Sequence, residues 1–213
     1  QALETIVARH DILRTTMQLQ DDEPVQVVSA AHTWAFDVVE LASLNHQQQQ
    51  VRVDSEVDGL YGHVFNLDQG PLFYAKLLVL GEQDYVLLIN MHHIVSDGWS
   101  NGILMRELGQ LYDAYSNGRP SPLPDLKVQY SDFSRWQRNW LSGDELERQI
   151  NYWRNALAGV EVLGLPTNHA RNTKTGYAGN VLGFQLSSQL SAKLNLLCKR
   201  HGVSMYMVTL AAY

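Results

Sequence analysis

Hydrophobic and polar positions along this chain follow two distinct periods. Leu3, Ile6, Val7, His10 and Leu13 recur at three- and four-residue steps, which predicts one helical face. Met17 and Leu19 then alternate with polar residues. Asp21-Asp22-Glu23-Pro24 is turn-like, and residues 25–28 read as a returning strand. A polar loop follows. Val53, Val57, Leu60 and Tyr61 make a second helical stripe, entered through a solvated start at Gln47 to Gln50. Phe65 to Pro71 reads as a loop. Residues 72–80 and 85–91 read as two strands joined by a hairpin at 81–84. The second is apolar from Val86 to Ile89, as expected of a strand covered on both faces.

Beyond residue 99 the pattern is mainly helical. Ser100 is the expected cap of a helix whose stripe is Leu104, Leu108, Leu111, Tyr112 and Tyr115, ended by Gly118. Pro120, Pro122 and Pro124 stiffen the next loop. A short aromatic helix is expected over 130–141. Asp144 and Glu147 have capping-box spacing ahead of Leu146, Ile150, Trp153 and Leu157. Residues 159–179 lack a period and read as a crossing loop or lobe boundary. A strand over 181–186 and a helix capped by Ser188, with Leu190, Leu194, Leu197 and His201 on one face, complete the series. Helices mixed with hairpin-like strands predict an α+β fold.

Composition narrows the function classes. A hydrophobic share of 45% over 213 residues builds a core without disulfide or metal staples. Sixteen basic against 22 acidic residues leave a net charge of −6, so no basic nucleic-acid footprint exists. The apolar runs are far too short to cross a bilayer, and the N-terminus lacks a signal-peptide layout. Cys198 is alone, which excludes an internal disulfide and a multi-cysteine metal site. A reducing cytoplasm is the expected compartment. Both ends lie inside patterned segments, so a fragment of a larger domain is expected.

The chemistry concentrates in Asn90-Met91-His92-His93-Ile94-Val95-Ser96-Asp97-Gly98-Trp99-Ser100. Two histidines leave a strand end together, and adjacent strand residues point to opposite faces. One can face a cleft as a general base or a positioned acceptor while its neighbour faces inward. Asp97 is close enough to brace the loop or pair with a cation, and Gly98 permits a tight turn. On spacing alone a structural pair, a metal-binding pair and a catalytic pair all remain open.

The full string resembles the His-His-x-x-x-Asp-Gly signature of condensation domains in nonribosomal peptide synthetases, within the chloramphenicol acetyltransferase-like superfamily. Two further stretches resemble the family's second and fourth core motifs: Arg9-His10-Asp11-Ile12-Leu13-Arg14-Thr15-Thr16-Met17 and Tyr130-Ser131-Asp132-Phe133-Ser134-Arg135-Trp136. Thr167 to Asn172 departs from the family pattern.

The resemblance implies an acetyltransferase-like lobe with a mixed sheet flanked by helices. Residues 1–172 would form most of the N-terminal lobe, and 173–213 the start of a second. It also implies amide formation between a donor acyl thioester and an acceptor aminoacyl thioester, each carried on a phosphopantetheine arm of a partner carrier domain. No cofactor would be bound by the chain itself. The implied partners are donor and acceptor carrier domains, an adjoining adenylation domain and the remainder of the C-terminal lobe, with no nucleic acid or membrane.

By the same resemblance, His93 would accept a proton from the attacking amine or hydrogen-bond it into line. His92 would orient the loop from its buried side. Asp97 would hold the loop through an ion pair with an arginine of the missing part, and Gly98 would let the backbone approach the thioester. Three rivals share the fold: an epimerisation domain, a free-standing coenzyme A-dependent acyltransferase and a non-catalytic docking module. Epimerisation domains usually follow the glycine with Val-Ser-Trp, whereas this chain has Trp99-Ser100-Asn101. The segment Ile94-Val95-Ser96 leans towards L-configured donors. His10, on an apolar stripe, is expected to be structural. Arg14 is expected either to reach the loop or to cap. Tyr130, Asp132 and Trp136 are expected to form a packed corner, and Cys198 to be an inert core thiol.

Overall fold

A computed structural model describes residues 1–30, 36–161, 164 and 182–213. The chain divides into two compact units, residues 1–158 and 159–213. The boundary expected at 172 and the departing stretch 167–172 lie outside the described residues.

The first unit is layered around a three-stranded mixed sheet. Its strands are β3 (Asp37–Glu40), β4 (Phe73–Val79) and β5 (Tyr85–Met91), with β4 central, parallel to β3 and antiparallel to β5. Strand alternation sends Phe73, Ala75, Leu87, Ile89 and Met91 to one face. There they pack with Leu3, Ile6 and Val7 of helix α1 (Ala2–Arg9) and Leu104 and Leu111 of helix α3 (Gly98–Ser116). Tyr74, Lys76, Leu88 and Asn90 take the opposite face, beside helix α2 (His46–Tyr61). The Lys76 ammonium bonds the Glu56 carboxylate at 2.6 Å, which lowers the Glu56 pKa and raises that of Lys76. The Asn90 amide donates to the Leu60 carbonyl. Helix, sheet and helix thus form the mixed sheet flanked by helices that the sequence predicts.

Strand β3 falls inside the stretch read as a polar loop. Its partner β4 lies more than 30 residues on, so nothing local in Asp37-Val38-Val39-Glu40 announces the pairing. Residues of β5 are half-buried rather than fully buried, because no described strand pairs with its outer edge. Asn45 caps α2 in a reciprocal box with Gln48. Gln49 is more than solvated. Its amide bridges the Leu41 and Leu80 carbonyls at 3.1 and 2.7 Å, tying α2 to the ends of β3 and β4.

A separate antiparallel hairpin joins β1 (Thr15–Gln20) to β2 (Glu23–Val28). Its turn is Asp21-Asp22 alone, both with positive φ (52° and 63°), the geometry of a two-residue hairpin; Pro24 belongs to the strand.

Helix α4 (Tyr130–Trp140) and helix α5 (Gly143–Ala156) follow the proline loop. The expected packed corner is not formed among the described residues. Tyr130, Phe133, Trp136 and Trp140 form an exposed ladder, tilted at the first two ring pairs and stacked at the last, and Leu146, Ile150, Trp153 and Leu157 are also exposed. Asp132 instead closes a capping box with Gln129. The box expected from Asp144 and Glu147 is absent: Ser142 occupies the cap position and bonds back to Asn139.

In the second unit, residues 182–186 form no strand, while residue 181 lies outside the described residues. Ser187, one residue before the expected cap, caps helix α6 (Ser188–His201), which ends at Gly202 in the left-handed region. Cys198 is buried and free. The closing apolar run is helix α7 (Met205–Ala212). Among the described residues no helix is long and apolar enough to cross a membrane.

The contact most specific to this packing joins α1 to α3. Glu107, 8% exposed, accepts from His10 Nε2 at 2.7 Å and from Arg9 Nε at 3.4 Å. Removing one partner of a buried pair leaves uncompensated charge. Glu107→Ala is therefore expected to lower the unfolding free energy by about 3–5 kcal/mol, and Leu111→Ala, at a site with no exposure, by about 2–5 kcal/mol. Urea denaturation followed by circular dichroism checks both. A Glu107→Ala loss within the range of a surface pair, below about 1 kcal/mol, contradicts the burial argument.

Candidate functional site

The two histidines stand just past the end of β5. The His92 N–H donates to the Leu72 carbonyl at 3.0 Å, extending the β4–β5 ladder by one bond. The chain then turns sharply. The Val95 N–H donates to the His92 carbonyl at 3.0 Å, and Val95 is buried beneath the loop at 5% exposure. Asp97 ends the turn and starts α3.

Alternation fixes which way the His92 ring faces, and the turn that follows aims His93. His92 continues the row of Leu88 and Asn90, and its ring meets Phe65 edge-on, with centroids 5.7 Å apart. Its Nδ1 accepts the Ile94 N–H at 3.0 Å, so the neutral ring carries its proton on Nε2. His93 is exposed and lines an open groove of about 600 Å³ with Met91, Ser96, Asp97, Gly98 and Asn101. His93 thus faces the groove, and the half-buried His92 faces the α2 side of the sheet against Phe65.

Asp97, not Ser100, is the N-cap of α3. The Asp97 carboxylate accepts from the Ser100 N–H at 2.7 Å and from its hydroxyl at 2.6 Å, and the Ser100 hydroxyl accepts from the Asp97 N–H. A carboxylate at a helix N-terminus also meets the positive end of the helix dipole. These bonds, the Ser100 hydroxyl foremost, hold the Asp97 pKa below its ordinary 3.8, and His93 adds a smaller pull the same way. An aspartate four residues past a histidine and three before a serine was the available signal for this cap.

Gly98 is not required by the turn. It is the first residue of α3, its φ is not positive, and a Cβ there meets nothing within 4 Å. What glycine leaves at this position is open space beside His93.

The other candidates stand apart from the groove. His10 pairs with Glu107, a residue that periodicity alone did not mark. Arg14 reaches Asp11 and the Ser29 carbonyl rather than the histidine loop. His63 stacks on Tyr74 and meets Phe65 edge-on. His32 and His169 lie outside the described residues. Among the described residues no three of His, Cys, Asp and Glu gather as a metal site requires.

Comparison with known proteins follows the same line. A family model described as condensation domain matches residues 1–213. One of the linear gramicidin synthase proteins of Brevibacillus parabrevis is 39% identical over the whole chain, which spans 3% of that protein's length. The X-domain from teicoplanin biosynthesis superposes with a TM-score of 0.79 at 26% identity, over 95% of this chain and 45% of that one. The epimerization domain from the third module of tyrocidine synthetase B superposes at 0.64 with 23% identity, over 80% and 38%, a likeness of fold alone.

Because the Asp97 pKa is depressed in the folded state, its contribution to stability is present above pH 3.8 and is lost as pH falls through the lower folded value. Ser100→Ala is expected to move the Asp97 carboxyl titration upward, towards 3.8, when followed by carboxyl-carbon NMR. An unmoved titration removes the Ser100 hydroxyl as the cause.

Proposed function

Because the chain belongs to the condensation-domain family of nonribosomal peptide synthetases, we propose that it joins a donor acyl thioester to an acceptor amine, with His93 as the group that acts on the amine. One observation carries the reading: of two adjacent histidines, His93 alone lines the open groove, beside the capped start of α3.

In the proposed step the acceptor nitrogen attacks the donor carbonyl carbon. The C–N bond forms and the C–S bond breaks. His93 holds the amine by a hydrogen bond and takes up the proton it sheds, which then passes to the departing thiolate. Much of such a rate comes from orientation, and general-base assistance adds to it. His92 acts through the loop, its Nδ1 holding the Ile94 N–H. Asp97 fixes the loop by capping α3, and the open space at Gly98 gives the thioester access. The pantetheine arms of donor and acceptor carrier domains supply both substrates, and an adenylation domain supplies the activated acids. The compartment proposed is the reducing cytoplasm, consistent with the lone thiol of Cys198. The family match is to condensation domains, so the epimerisation alternative is not favoured.

His93→Ala in the intact synthetase module, with both carriers loaded, is expected to cut amide formation by roughly 10²–10⁴. Mass spectrometry of the carrier-bound product reads this directly. Undiminished product formation would sink the assignment of His93.

A further inference from the structure

Beneath the histidine loop lies a second, smaller cavity of about 130 Å³. Its walls come from three places in one unit. His10, Ile12 and Leu13 supply the side after α1, Val95 and Ser96 the loop, and Ile103 with Leu104 the first turns of α3. Met91, Ser96 and Leu104 line both this cavity and the groove that holds His93.

The space is half-open to solvent rather than sealed, and most of its lining is apolar. An apolar cavity of roughly 150 Å³ stays dry and admits benzene. The polar residues at this one are His10, Ser96 and Ser100, and the Ser96 hydroxyl donates to the His92 carbonyl at 3.4 Å. His10 Nε2 is bonded to Glu107, and the Ser100 hydroxyl to the Asp97 carboxylate. The lining therefore offers a guest apolar contact and no free charge.

We propose that this cavity is a side-chain subsite, taking an aliphatic or small aromatic side chain of the carrier-bound acyl or aminoacyl substrate, with Ile12 and Ile103 setting the size accepted. The proposal rests on the condensation reading. Met91, Ser96 and Leu104 are the wall shared by the cavity and the groove that holds His93, and burial of each added methylene favours the substrate that fills the cavity. Both isoleucines are half-buried and line the cavity, so their volume sets the space left in it.

The test uses the intact module with loaded carriers. Donor and acceptor side chains are varied separately between glycyl and leucyl, and the readout is the leucyl-to-glycyl ratio of kcat/KM. Ile103→Phe fills the cavity and is expected to lower that ratio about tenfold or more for one of the two substrates. Ile103→Ala enlarges it and is expected to raise the ratio of phenylalanyl to leucyl. The substrate whose ratio moves identifies which partner enters the subsite. Unchanged ratios for both in an active module overturn the subsite. A benzene titration followed by NMR of the Val95 and Leu104 methyl groups tests the cavity without turnover. Saturable shifts that Ile103→Phe abolishes support it, and no shifts overturn it. No turnover of any substrate by the unmodified module, with the benzene shifts present, overturns the condensation reading and leaves the apolar pocket supported.

Discussion

Everything near the groove hangs on a carboxylate placed where water hardly reaches. Glu107 sits on the inner face of α3, an energetically poor position unless opposite charge meets it there. Arg9, at the end of α1, supplies that charge across 98 residues of sequence, and His10 adds a hydrogen bond across 97. Apolar side chains such as Leu104 and Leu111 hold α3 against the sheet but tolerate sliding. A bonded carboxylate does not, because its two partners approach from fixed directions. The chain after α1 is fixed in turn. The Gln129 amide donates to the Arg9 carbonyl and accepts the Asp11 N–H, so the break in the helix at His10 is bonded on both sides.

From that constraint the geometry of the groove follows in few steps. The core sets the axis of α3, its first residue sets Asp97, and Asp97 closes the turn begun at His92. The strand contributes sidedness. Two identical side chains in succession receive different surroundings only because β5 is extended where they leave it. One becomes a hydrogen-bonded strut against Phe65, and the other stands in the groove.

The sequence showed a good part of this. Periodicity located α1, α2 and α3, the β1–β2 and β4–β5 hairpins and the stretch from Asn90 to Ser100, because each is written within a dozen residues. It failed where the deciding partner is distant or of unexpected type. Strand β3 depends on β4, and Glu107 interrupts an apolar stripe, so hydrophobic patterning passes over both. Tyr112 fits the stripe by spacing yet is 70% exposed, while Ala114 is buried in its stead. Serine is so common a cap that Ser100 drew the assignment three residues too late. The aromatic ladder of α4 shows the opposite failure: apolar periodicity reveals that a face exists without revealing what lies against it.

The length of α3 gives these contacts a joint meaning. At about 1.5 Å and 100° per residue, its 19 residues form a rod of about 28 Å. Asp97 at its start and Glu107 three turns on are read out together. A slip of one residue along the rod would carry the cap away from the turn and swing the carboxylate off Arg9 and His10 at once. No intermediate setting satisfies either end. The helix therefore behaves as an indexed part, seated in one notch or unseated, and the groove inherits that all-or-none character.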